Sequence, residues 1–223
     1  MSEERKERLM KRIGMAAIAV AILAIIALAV LPAQARTGIE LNEDQIAIVR
    51  QINAYINSLG SVKGRFTQIG PDGEFAEGNF YLQRPGRMRF EYSPPNPILV
   101  VADGFWVGIE DRKLQSTQKY PLVTTPLSLL LGKRVDLFKD ARIVGFERRL
   151  GDIEVTVEAA SGSAPGQLTL IFGGPIFALK QWTVVDAQGL TTQVAVFDLV
   201  AGLNFDPKLF WINDNLILNT NER

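Results

Sequence analysis

Four carboxylates, Asp103, Asp152, Glu154 and Asp186, are the side chains of this sequence whose type suits hydrolysis, because two of them facing one substrate could act as general acid and base. Each stands in or beside a glycine-containing turn, where an acid also serves simply by accepting backbone N–H bonds. The remaining catalytic repertoire is narrow. The 223 residues include no His and no Cys. That removes histidine-based triads, histidine-ligated zinc, thiol nucleophiles, Fe–S clusters and disulfides. Carboxylate-only metal binding and acid–base work by Lys or Tyr stay open in principle. The 24 Lys+Arg are matched by 24 Asp+Glu, so the basic excess of a nucleic-acid binder is missing. The expectation is a protein that is not an enzyme and needs no metal or cofactor.

The elements that must position any site begin after an address segment. Met1 to Arg12 holds five basic and three acidic residues, and an uncharged, mostly apolar run follows from Ile13 to Ala33. Pro32-Ala33-Gln34-Ala35 then supplies small residues in the pattern of a signal-peptide cleavage site after Ala35. An uncleaved anchor is the other reading, since the apolar run approaches the roughly 20 residues that span a bilayer. Residues 1–35 are therefore expected to be a signal peptide and 36–223 a single periplasmic domain, slightly acidic once the leader's charges are set aside.

One helix opens that domain. Asn42 followed by Gln45 has the spacing of a capping box, with Glu43 and Asp44 in the first turn. Ile46, Val49, Ile52, Ile56 and Leu59 recur at helical spacing until Gly60, so one face must lie on something apolar. Short β-type runs follow, separated by Gly, Pro and Asp turns: 62–69, 74–83, 87–92, 98–102, 105–110 and 113–119. Thr124-Thr125-Pro126 then introduces a very short leucine-rich helix that stops at Gly132. Strands resume at 141–149, 153–159, 167–172, 177–185 and 190–200. Connections this tight make neighbouring strands antiparallel, because parallel pairs need longer crossovers. In the tail, Phe205 to Ile212 reads as a turn and a last strand, and a further strand at Leu216–Leu218 is left open.

About eleven twisted strands in one sheet must curl, and the concave side must be filled. Alternation puts Met88, Phe90 and Tyr92 on one face and Arg87, Arg89 and Glu91 on the other. Phe66, Phe80, Leu82, Val100, Trp106 and the Leu129–Leu131 cluster are further candidates for the inside. Pattern alone does not say whether that inside is solid or hollow.

The segment from Phe66-Thr67-Gln68 through Glu77-Gly78-Asn79-Phe80-Tyr81-Leu82-Gln83-Arg84-Pro85-Gly86-Arg87-Met88-Arg89-Phe90-Glu91-Tyr92 resembles the LolA family of periplasmic lipoprotein carriers. The resemblance continues through Ile98 to Gly104, the strand around Trp106, and Thr125-Pro126 with its leucines. It implies a mainly β fold: an incompletely closed antiparallel β-barrel with short helices as a lid over an apolar cavity. It also implies a monomeric carrier that takes acylated lipoproteins from an inner-membrane ABC transporter, shields their acyl chains and delivers them to an outer-membrane acceptor.

By the same resemblance, Arg84 is a latch that bonds the covering helices in the closed, empty form and governs cargo release. Phe66, Phe80, Leu82, Met88, Phe90, Tyr92, Val100, Trp106, Leu127, Leu129 and Leu130 are expected to line the lipid-binding cavity. Met88 stands where many members carry an aromatic that meets the transporter. An envelope sensor or structural module with the same β-fold and no transport role is the competing expectation.

Overall fold

Asn42 starts the first helix as its spacing requires. The computed structural model describes residues 37–174 and 176–213; the leader and Leu216–Leu218 lie outside the described residues. In α1 (Glu43–Ser58) the Asn42 side chain accepts from Gln45 N and the Gln45 side chain accepts from Asn42 N, both at 2.9 Å. Val49, Ile52 and Ile56 are the buried stripe, each worth about 1.5–3 kcal/mol when taken from water.

Among the described residues, eleven strands follow in one antiparallel sheet. The first six are β1 (Ser61–Ile69), β2 (Phe75–Gln83), β3 (Arg87–Tyr92), β4 (Ile98–Asp103), β5 (Trp106–Asp111) and β6 (Ser116–Pro121). The remaining five are β7 (Ala141–Arg149), β8 (Asp152–Ala159), β9 (Gln167–Gly173), β10 (Ala178–Val185) and β11 (Thr191–Ala201). Their order across the sheet is β6-β5-β4-β3-β2-β1-β11-β10-β9-β8-β7. The sheet is thus two meanders joined where β11 pairs with β1, from Val62↔Ala201 to Ile69↔Gln193. β6 and β7 are its two edges, and the chain passes from one to the other through residues 122–140.

The sheet curls strongly enough for opposite walls to touch. Trp182 of β10 lies 6.0 Å from Phe80 of β2 and 6.1 Å from Phe90 of β3, centroid to centroid, although β1 and β11 stand between them in the sheet. Alternation holds on β3: Met88 and Phe90 are buried in the main core, with Tyr92 packed against it. Arg89 points the other way, bonding Leu209 O at 2.9 Å and Glu91. The edges stay unpaired with each other, so the barrel is incompletely closed.

Two expectations are corrected. Trp106 is on the outer face: it is 43% exposed, with the Lys119 ammonium 5.8 Å from its ring centroid. β5 begins at Trp106 and its inward positions are the odd ones, so Val107 takes the core place opposite Ala102. Residues 205–212 form a 3-10 turn (Pro207–Phe210) in place of a last strand. The outer face of β4 is apolar, and Phe210 plugs it against Leu99 and Val101; a strand would have offered backbone where a ring is needed.

Candidate functional site

The C-terminal end of α1, the β2–β3 turn and the first part of the 122–140 connection, as far as Gly132, meet at one end of the barrel. The connection forms a lid: a 3-10 turn (Leu122–Thr124), α2 (Ser128–Leu131) and α3 (Leu137–Asp140). Thr125 does not cap a helix directly. Its hydroxyl donates to Leu122 O and its own carbonyl accepts Ser128 N, so α2 starts two residues after Pro126 and ends at Gly132.

Arg84 joins all three parts. Its Nη1 donates to Ile56 O in the last turn of α1, and its Nη2 donates to Gly132 O at 2.6 Å and to Asn57 Oδ1 at 3.2 Å. A helix end leaves carbonyls short of donors and carries partial negative charge, so a planar cation with five N–H groups suits it. Burial lowers the guanidinium pKa from its ordinary value. Its Nε is buried and has no acceptor among the described residues.

A second set of bonds reinforces this one. Asn57 Nδ2 donates to Val135 O at 2.7 Å, and its Oδ1 accepts Val135 N at 2.9 Å. Asn53, one turn earlier on the same face, accepts Leu137 N at 3.0 Å and donates to Asp136 Oδ1 at 3.2 Å. Gly86 N reaches Leu131 O at 2.8 Å. Asn53 and Asn57 were not singled out in the sequence, where two asparagines on the polar side of an amphipathic helix look merely solvated; their four-residue spacing was the available signal.

Beneath the latch lies an apolar void of about 40 Å³, room for only a few water-sized spheres. Phe80, Leu82, Met88, Leu127 and Leu130 line it, with Arg84 at its rim. Ile56, Leu179 and Trp182 complete the wall and were not named in advance for it. Phe66, Phe90 and Tyr92 belong to the packed layer behind, Phe66 meeting the other two rings edge-on at 4.9 and 5.1 Å. The Tyr92 hydroxyl donates to Gln68 Oε1 at 2.7 Å, and burial raises its pKa. Val100 packs against the same core from β4, and Leu129 is buried within the lid; neither borders the void. Met88, 3% exposed, lies under the lid.

The four carboxylates considered for hydrolysis work separately. Asp103 Oδ1 accepts the N–H of Phe105 and of Trp106, and Asp186 Oδ1 accepts those of Gln188 and Leu190. Asp152 pairs with Lys180 at 2.8 Å, while Glu154 stands opposite Glu147 on β7.

What the site offers is an apolar interior held shut by polar contacts that could be exchanged without breaking the sheet. A profile of the family described as "Outer membrane lipoprotein carrier protein LolA" matches residues 57–213. An outer-membrane lipoprotein carrier protein of Chromohalobacter salexigens is 31% identical over 204 residues, covering 86% of this chain and 90% of that protein. Its counterpart in Methylococcus capsulatus is 26% identical over 170 residues, covering 72% and 80%. Among solved structures, a LolA superfamily protein from Nitrosomonas europaea superposes with a TM-score of 0.42 at 8% identity, covering 74% of this chain and 97% of that one. The profile spans Arg84, the lid and the whole sheet, and on it the chain belongs to the LolA family of outer membrane lipoprotein carrier proteins.

Proposed function

We propose that this chain is exported by its leader to the periplasm, receives acylated lipoproteins from an inner-membrane ABC transporter, and releases them to an outer-membrane acceptor. The observation that carries the reading is Arg84, one side chain tying the end of α1 to the lid directly above an apolar void. Membership of a carrier family supports it.

Each acyl CH₂ left in water costs about 0.8 kcal/mol, so the cargo needs a dry compartment in transit. The closed void is far too small for an acyl chain, and loading must lift α1 and the lid away from Leu82, Met88 and Trp182. Opening breaks the bonds of Arg84, Asn53, Asn57 and Gly86 and exchanges lid contacts for contacts with the acyl chains. The pocket supplies no energy source of its own, so transfer runs downhill from a weaker holder to a stronger one. The chain works as a monomer in this scheme, and Met88 becomes available to the transporter once the lid lifts.

The test is native mass spectrometry of the chain from Arg36, purified without detergent after co-expression with an acylated lipoprotein, beside the same lipoprotein lacking its acylated cysteine. A stoichiometric complex with the acylated form alone is the expected result. Equal binding of both forms, or of neither, would leave a β-domain without the carrier role.

A further inference from the structure

The lid end of the barrel carries large apolar side chains that stand out singly, with cations between them. Phe105 in the β4–β5 turn is 80% exposed and Val123 in the lid 62%. Both line an open depression of about 510 Å³ together with Arg87 and Lys133. A second depression, of about 640 Å³, shares Lys133 and adds Arg50, Arg134 and Phe138. None of these four cations has an ion-pair partner among the described residues. The two carboxylates in the depressions are already engaged: Asp103 holds the Phe105 and Trp106 amides, and Asp136 accepts Phe138 N and Asn53 Nδ2.

We propose that this end docks directly on an anionic phospholipid bilayer, with Phe105 and Val123 immersed among the headgroups and Arg87, Lys133 and Arg134 at the level of the phosphates. Isolated apolar tips separated by cations fit a deformable interface, where each tip finds acyl surface and each cation a phosphate. A folded protein partner would call for a contiguous apolar centre instead. The β7–β8 and β9–β10 turns lie at the same end of the sheet and raise Leu150 and Ile176 fully into solvent, which extends the row of tips along the other half of the rim. The proposal goes beyond the carrier reading and requires no cargo.

Thr37–Arg223 forms a compact unit of its own, with every described strand, α1 and the core they share, so it is tested without the apolar leader. Flotation with vesicles of phosphatidylglycerol and phosphatidylethanolamine at low salt is expected to recover this unit at least about fivefold better than phosphatidylcholine vesicles, and salt should weaken the difference. The variants Phe105→Ser/Val123→Ser and Lys133→Gln/Arg134→Gln alter exposed side chains and should each lose most of that binding. Because the chain has no Cys, Phe105→Cys and Asp72→Cys can each carry a single polarity-sensitive dye. Emission should shift to the blue with vesicles at position 105 and stay unchanged at 72, in the β1–β2 turn at the far end. No preference for anionic vesicles, full binding by both double variants, or a shift at 72 in place of 105 would overturn the proposal. Lipoprotein loading in solution, measured in parallel, separates its failure from failure of the carrier reading.

Discussion

At the residue scale, the proposed function turns on Arg84. Under that proposal its guanidinium serves only the closed form, so Arg84→Leu should remove charge-assisted bonds worth about 1.5–3 kcal/mol from that form and shift the population toward the open, filled one. Loading with acylated lipoprotein should proceed, while transfer to an acceptor should slow by roughly tenfold; a release time course checks it, and wild-type kinetics would remove the latch role. Asn57→Ala should act in the same direction with a smaller effect, because it cuts two bonds to Val135 and one to Arg84. Faster hydrogen exchange at Val135 N, with exchange in β1 and β11 unchanged, would mark the lid as the part released.

At the element scale, α1 carries its capping box at one end and its bonds to Arg84 and the lid at the other. Asn42→Ala dismantles the capping box and should cost about 1 kcal/mol, a fall in Tm of roughly 2–4 °C for a chain of this size. Cargo transfer should hardly change, since the cap lies four turns from Ile56. The β2–β3 turn is less forgiving. Gly86 has φ +77°, and a Cβ there would come 2.6 Å from Gly104 Cα in the neighbouring turn. Gly86→Ala should therefore destabilise by more than about 1 kcal/mol and loosen the bond from Gly86 N to Leu131 O, readable as a lower denaturation midpoint together with faster exchange in α2.

For the whole molecule, the absence of His removes the side chain that ordinarily titrates between pH 5 and 8. Tyr81 and Tyr92 move away from that window, pushed upward chiefly by burial; burial lowers Arg84, but from so high an ordinary value that the guanidinium stays charged throughout it. The neutral forms of the tyrosines are favoured by folding, so the stability they add is present at neutral pH and is lost only as pH rises through the unfolded tyrosine value near 10. Denaturation midpoints and cargo release should accordingly be flat from pH 6 to 8. A transition in that range would mean that opening is governed by something other than the latch.

Local order was legible in the sequence because it is set by neighbours a few residues apart. The Asn42 cap, the stripe of α1 and the strands Arg87–Tyr92 and Ala141–Arg149 follow from spacing alone, and Arg84 was singled out by a resemblance that runs along contiguous residues. The four residues of α3 are too few to show a period, and the outward turn of Trp106 depends on where β5 begins. The pairing of β1 with β11 joins residues about 130 positions apart, and no local pattern encodes such a register. For the same reason Asn53 and Asn57 looked like solvated helix residues until the lid, about 80 residues later, was brought onto them. Composition determined that this chain has no histidine or thiol chemistry and that its strands must curl around an apolar side. Only the tertiary structure decided that the interior is nearly filled, because the void is the space left between side chains from elements far apart in the chain.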